Sequence, residues 1–325
     1  MRPTLYRHPH GITAVDAEYL YPGHAAAHLI VDSGRAAFVD VGTNSSVPYL
    51  LAALDELGLA PAAVDYLLLT HVHLDHAGGA GALMQHLPNA RALLHPRGAP
   101  HMIDPAKLIA GSQVVYGEER FRRLYGELLP IAPERVRVVA DGERVVLGGR
   151  TLELIHTPGH AQHHYVVVDP AHRSIFSGDT FGISYRALDT DKGAFITPST
   201  VPTQFDPPQH IASIDRMLAY RPESIYLMHF SRVTDIPRLG ASLKEQIAEL
   251  AAIARAHATD ADPDGAIRAD MLALWRRLAR LHGCQLADPD LEHALAGDLT
   301  LNTQGLIAWL ARTGELGSKD RKAHS

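Results

Sequence analysis

Residues 70–79 read "THVHLDHAGG", which puts His71, His73, Asp75 and His76 within six positions, directly behind the apolar run "YLLLT". Imidazole is the commonest side-chain metal ligand, and a carboxylate adds a hard oxygen donor, so this grouping suits a borderline divalent cation. On an extended segment residues i and i+2 point to the same side, so His71 and His73 can share one ion. Asp75 and His76 come where the chain bends and can aim at a second point. The small residues Ala77, Gly78, Gly79 and Ala80 then allow close backbone approach and begin a helix. A His-x-His pair taken alone is more often two exposed side chains on an edge strand. What changes the reading is recurrence: His160 in "HTPGH", Asp179 in "FSGDT" and His229 in "YLMHF" each sit in a strand-to-loop setting. Each has an ordinary explanation by itself: a turn at Pro158-Gly159, a helix cap at Asp179, a packed core histidine at His229. Together they make five imidazoles and two carboxylates, enough for two metal ions bridged by a carboxylate and a water.

Such a set must be carried by rigid elements. "AAHLIVDS" and "AAFVDVG" read as two strands joined at Ser33-Gly34, and "SVPYLLAALDELGL" as a helix stopped at Gly58. "VDYLLLT" is continuously apolar, as expected of a strand covered on both faces. "AGALMQHLP" reads as a helix ended by Pro88, "ARALLHP" as the next strand, and the more polar residues 101–135 as helical. In "VRVVADGERVVLGGRTLELIHTPGH" the Asp141-Gly142 and Gly148-Gly149 pairs signal hairpins. "HHYVVVDPAHRSIFSGDT" reads as two strands around Asp169-Pro170, and "ESIYLMHFS" as one more. Strands and helices thus alternate from residue 10 to about 235, the pattern of an α/β sandwich. From about 236 the texture becomes Ala/Leu/Arg-rich with apolar residues every three or four positions. This predicts a separate helical extension over 236–325 that packs on the first domain, roofs the site or dimerises the chain. The tail "SKDRKAHS" is expected to be disordered.

The chain of 325 residues is 46% hydrophobic and 20% charged, with a net charge of −6. That balance gives nucleic acid no bulk electrostatic reason to bind. The apolar stretches are too short for a membrane span. The N-terminus lacks a continuous apolar signal region, and a cytoplasmic location is expected. Cys284 is the single cysteine, which excludes an intrachain disulfide and a Cys-rich zinc cluster.

"THVHLDHAGG", "HTPGH", "SGDT" and the late His229 together resemble the metallo-β-lactamase-fold superfamily, in its order and spacing, over roughly residues 10–235. The longer string "HTPGHAQHHYVVVD…SGDTFG" is most similar to a microbial branch related to glyoxalase II and the lactonases. The resemblance implies an αββα four-layer sandwich with the site at one edge of its two sheets. By motif position it implies that His71, His73 and His160 hold a first metal, that Asp75, His76 and His229 hold a second, and that Asp179 bridges them. Zinc is the first candidate for both ions, with iron and manganese as alternatives.

Two cations bridging a water bring its pKa toward neutrality, and the resulting hydroxide attacks a carbonyl or phosphoryl centre. Asp75 is placed to orient that group and to carry its proton to the leaving group. His156, His163, His164 and Asp40 are candidates to hold the ligands from behind. The long segment 180–208 is a candidate substrate wall, with Tyr185 as an oxyanion donor and Arg186 as an anion contact. The leading expectation is therefore a dinuclear metal-dependent hydrolase of a small-molecule ester, thioester or lactone. Two other classes stand beside it. One is an oxidoreductase resembling the mononuclear-iron persulfide dioxygenases, whose Arg-Thr-Asp-Phe-like stretch is replaced here by "GDTFGISYR". The other is a catalytically idle binding protein, which has no need of a complete ligand set.

Overall fold

The computed structural model describes residues 2–201 and 203–317, which fall into two compact units. The first comprises residues up to His156, His163–Gly178 and Tyr220–Val233; the second comprises Thr157–Gln162, Asp179–Ala219 and the chain from Thr234. The division does not run along a single boundary near residue 235, because the segment after Asp179 hydrogen-bonds to the C-terminal helices. Thr200 N donates to Asn302 Oδ1 at 2.6 Å, and Asn302 Nδ2 donates to the Pro198 carbonyl at 3.0 Å.

The first unit opens with β1 (Leu5–His8), β2 (Ile12–Asp16), β3 (Ala26–Asp32) and β4 (Arg35–Val39). It continues through α1 (Val47–Glu56), β5 (Val64–Leu68), α2 (Leu74–Ala77), α3 (Ala80–Met84) and β6 (Arg91–Leu94). Three helices follow, α4 (Ala99–Ile103), α5 (Ala106–Tyr116) and α6 (Glu118–Tyr125), and then β7 (Val136–Val138). These seven strands form one sheet in sequence order, antiparallel from β1 to β4 and parallel from β4 to β7. The second sheet holds β8 (Glu143–Leu147), β9 (Arg150–His156), β10 (Tyr165–Asp169), β11 (Ser174–Gly178), β12 (Ser224–Leu227) and β13 (Ser231–Val233), in the order β13-β12-β11-β10-β9-β8. Gly148-Gly149 makes the expected hairpin between β8 and β9. Asp141-Gly142 does not make one. There the chain leaves the first sheet for the second, and the Asp141 carboxylate accepts from His156 N instead.

The period of two along each strand decides which residues meet. In β4, Ala36 and Phe38 pack with Leu50 and Leu54 of α1, while Ala37 and Val39 pack with Leu152, Leu154, Val167 and Phe176 of the facing sheet. In β5, Leu67 and Leu68 divide in the same way, so the end of the strand nearest the site is apolar on both faces, whereas Asp65 near its start is only half-buried and pairs with Arg35. Truncating a ring such as Phe38, wholly buried, to Ala removes about 3–5 kcal/mol.

The second unit contains α7 (Pro207–Ala219), α8 (Ile236–Ala256), α9 (Pro263–His282) and α10 (Asp288–Thr313). In α8, Leu239, Leu243, Ile247 and Leu250 are buried at helical spacing. Asp262 caps α9 by accepting from Gly265 N at 3.0 Å. α10 begins at Asp288. Pro289 lies in its first turn, where a missing N–H does no harm. The tail "SKDRKAHS" lies outside the described residues. Among the described residues no helix is long and apolar enough to cross a membrane.

Candidate metal centre

β4 and β5 run parallel in one sheet, and β9, β11 and β12 run in one direction in the other. All the candidate ligands follow the carboxyl ends of β5, β9, β11 and β12. Loops at such ends are where α/β sheets place their reactive groups. His71 and His73 lie just beyond β5 rather than on it. Their alternation survives because the segment stays extended, with His73 at φ −63° and ψ 146°.

In the first unit the hydrogen bonds fix the imidazole tautomers. Asp40 stands at φ +53°, a left-handed conformation that aspartate tolerates and that turns its carboxylate inward. Its Oδ1 accepts from Thr70 N at 2.8 Å and its Oδ2 from Thr70 Oγ1 at 2.8 Å. Thr70 has one hydroxyl proton and gives it to the carboxylate, so its oxygen accepts from His71 Nδ1 at 3.1 Å. The His71 lone pair is then on Nε2, which lies 2.9 Å from His73 Nδ1. His76 Nδ1 donates to Asp40 Oδ2 at 2.9 Å, and His229 Nδ1 donates to the His24 carbonyl at 2.9 Å. Both therefore carry their lone pair on Nε2.

These lone pairs converge on Asp75. Asp75, His76 and His229 each offer one ligand atom, all within 4.8 Å of one another. Asp75 Oδ2 lies 3.3 Å from His229 Nε2 and 3.9 Å from His76 Nε2. A carboxylate oxygen facing two imidazole lone pairs is repulsive by itself and favourable around a cation. The donor set of two nitrogens and one oxygen fits a divalent transition metal.

The second unit repeats the device. His160 Nδ1 donates to the Ser199 carbonyl at 3.1 Å, and its Nε2 lies 3.5 Å from Asp179 Oδ2. The turn carrying His160 is held by a close approach at Gly159, φ +134°, where an added Cβ would lie 2.2 Å from the His210 Cα. His210 is wholly buried, and its Nε2 donates to the carbonyl of Thr180, the residue after Asp179, at 2.8 Å. Burial, with His160 nearby, pulls the His210 pKa down to about 4, so its ring is neutral.

Within the first unit the structure thus brings together Asp75, His76 and His229 with Asp40 behind them, and His71 with His73; within the second it brings His160 to Asp179. Of the other candidates, His164 stacks on His71 with ring centroids 4.8 Å apart. His163 lies 6.2 Å from His71 and takes Val72 N on its Nδ1 at 3.5 Å. His156 belongs to a different pair: its ring packs on His95 at 4.1 Å, and its Nε2 donates to the Val139 carbonyl. Tyr185 is buried and donates to Asp298 at 3.4 Å. Arg186 donates to the Ser184 carbonyl at 2.7 Å and pairs with Asp189 at 3.1 Å.

His24, Thr70, Ser199 and His210 are the contributors that motif reading passed over. Thr70 was adjacent to the motif and could have been found as the hydroxyl beside the first histidine. The carbonyls of His24 and Ser199 carry no side-chain signal at all.

A model of the Metallo-beta-lactamase superfamily matches residues 20–229. A metallo-β-lactamase fold-containing protein of Sulfurisphaera tokodaii is 28% identical over 225 residues, 68% of this chain and 77% of its own length. A hydroxyacylglutathione hydrolase of Xanthomonas campestris is 29% identical over 204 residues, 62% of this chain; the match spans only 59% of that enzyme. Among solved structures, a β-lactamase domain protein of Burkholderia ambifaria superposes with a TM-score of 0.64 at 19% identity, covering 96% of this chain and 90% of its own. The architecture of this chain is therefore the α/β metallo-β-lactamase fold with a C-terminal helical region.

Proposed function

We propose, for a chain that belongs to the metallo-β-lactamase superfamily, a metal-dependent hydrolase acting on an ester, thioester or lactone of a small molecule. His71, His73 and His160 would hold one ion, Asp75, His76 and His229 the other, and Asp179 would bridge the two. When bound, two such cations supply Lewis acidity and an activated water. The chain's own residues do the rest. Asp40 takes the Nδ1 proton of His76 directly and that of His71 through Thr70, so one carboxylate keeps two imidazoles in the ligating tautomer. The His24 and Ser199 carbonyls do the same for His229 and His160. Asp75 is the one candidate ligand carboxylate in the first unit and is partly exposed, so it can orient water and pass a proton to the leaving group. Tyr185 and Arg186 are the candidate substrate contacts of the segment after Asp179.

The observation that carries this reading is the convergence of Asp75, His76 and His229, with their tautomers fixed from behind. Similarity to a hydroxyacylglutathione hydrolase puts thioesters in the first rank of trial substrates. Protein loaded with zinc, iron or manganese should hold about two ions per chain. It should turn over at least one class in a panel of thioesters, lactones, aryl esters and phosphodiesters. Failure to retain any metal after reconstitution sinks the proposal. Oxygen consumption with glutathione persulfide replaces it with an oxidoreductase.

A further inference from the structure

The carbonyl that orients His160 belongs to Ser199, in the segment between β11 and α7. Among the described residues of that segment there is no strand, and no helix beyond the single turn Arg186–Leu188. A carbonyl in such a loop has no ladder or helix to set its direction, so other groups must aim it. The Ser199 hydroxyl also donates to Asp179 Oδ2 at 3.4 Å, so this one residue touches both candidate ligands of the second unit.

The backbone around Ser199 is fixed by the C-terminal helices. The Ile196 carbonyl accepts from Gln246 Nε2 of α8 at 2.9 Å, and the Thr197 carbonyl from Ile183 N at 2.8 Å. The Pro198 carbonyl accepts from Asn302 Nδ2 of α10 at 3.0 Å. On the other side of Ser199, Thr200 N donates to Asn302 Oδ1 at 2.6 Å and Thr200 Oγ1 to the Asn302 carbonyl at 3.1 Å. One side-chain amide thus grips the chain immediately before and immediately after Ser199. Its orientation is forced, because a carbonyl needs the NH2 group and an N–H needs the oxygen. Asn302 is 1% exposed and stands well inside α10, where asparagine is a poor helix former and a buried amide is costly unless it is used. Gly305 and Arg312 share its face of the helix. An added Cβ at Gly305 would lie 1.5 Å from the Thr200 carbonyl oxygen, and Arg312 donates to the carbonyls of Thr203 and Phe205. α10 is therefore laid along the loop that carries Ser199.

We propose that Asn302 is a positioning residue of the metal centre: its amide clamps the backbone on both sides of Ser199 and so holds the carbonyl that keeps His160 in its ligating tautomer. The inference rests on the reading of His160 and Asp179 as metal ligands. It makes the C-terminal helices a support of the centre as well as a packing layer. Without the clamp the Ser199 carbonyl turns, the His160 Nδ1 proton loses its acceptor, and the lone pair no longer stays on Nε2.

The test uses the full-length protein loaded with zinc and a competing chelator. Asn302→Leu, close in size and unable to bond either neighbour of Ser199, should weaken one of the two ions by about 10–100-fold and leave the other within about threefold. Asn302→Ala, which lets water reach the two backbone groups, stands in if Asn302→Leu does not fold, and should weaken the same ion by at least about threefold. Leu295→Ala, at a wholly buried position two turns earlier in α10, is the control. It should lower the melting temperature and leave both ions in place. An unchanged chelator curve for the Asn302 variants, an equal weakening of both ions, or the same shift in Leu295→Ala overturns the proposal. If the wild type retains no metal, the ligand reading fails by itself, and imidazole 15N spectra of the metal-free protein decide the clamp. His160 held as the Nδ1–H tautomer in wild type and mixed in the Asn302 variants supports it; the same tautomer in both overturns it.

Discussion

Two histidines of this chain each stand between a pair of carboxylates, and their surroundings make them different devices. His76, in the first unit, gives Nδ1 to Asp40 at 2.9 Å and turns Nε2 toward Asp75 at 3.9 Å, with its own side chain wholly buried. His257, at the end of α8, gives Nδ1 to Asp260 at 2.7 Å and Nε2 to Asp270 at 2.8 Å, with both carboxylates about half exposed. At His257 both nitrogens are close to an acceptor, so the pair of aspartates holds an imidazolium and the ring is saturated. At His76 one nitrogen is committed and the other looks at an oxygen too far for a good hydrogen bond. The asymmetry makes a ligand; the symmetry makes a clip. Burial then sets the stakes, because a charge mismatch is screened at the surface and expensive inside.

The contrast breaks most visibly at the buried end. His76→Ala should lower metal content from about two ions per chain toward one and turnover by at least about a thousandfold, as read by metal analysis and steady-state rates. His73→Ala should likewise abolish turnover and leave a folded protein by circular dichroism. Asp40→Asn should be milder. The amide still accepts from one partner, but His76 and Thr70 can no longer both give protons to it, and metal affinity or activity should fall about 10–100-fold. A fall no larger than a few fold would mean that Asp40 is only a packing residue. Gly178→Ala acts one step further back. At φ +48° an added Cβ would lie 2.5 Å from Thr70 Oγ1 and 2.7 Å from His164 Nε2. About 1–3 kcal/mol of stability should be lost in denaturant unfolding, with Thr70 displaced from Asp40.

How far this could be seen in advance differs along the chain for physical reasons. The α/β alternation, the apolar end of β5 and the helices after 236 were legible because period and composition are local properties. Asp40 was legible as a polar residue ending an apolar strand. The β7–β8 crossover was not. Asp141-Gly142 is good turn chemistry whether the chain doubles back or changes sheet, and only the register of the two sheets separates the outcomes. His156, four residues from His160 in sequence, lies at the end of β9 with its ring packed on His95, a partner that no spacing announces. The supporting carbonyls of His24 and Ser199 were invisible, since any residue type would present the same oxygen.

The surface end of the comparison gives the smallest effect and the most specific sign. The hydrogen bonds from Asp270 and Asp260 raise the His257 pKa above its ordinary 6.5. A histidine whose folded-state pKa is raised stabilises the fold fully below the unfolded value, and that contribution disappears as pH rises through the folded value. The clip therefore helps tie His257 to α9 in mildly acidic solution and loses its charge-assisted part on the alkaline side of 6.5. His257→Gln, which keeps a donor but cannot become a cation, should be less stable than wild type at pH 5.5 and nearly indistinguishable at pH 9. The difference should stay within the roughly 0–1 kcal/mol of exposed ion pairs and shrink further in high salt. Metal content and turnover should be unchanged. A pH-independent difference would show that the ring is held by packing rather than by its charge, and His257 would then cease to be the saturated counterpart of His76.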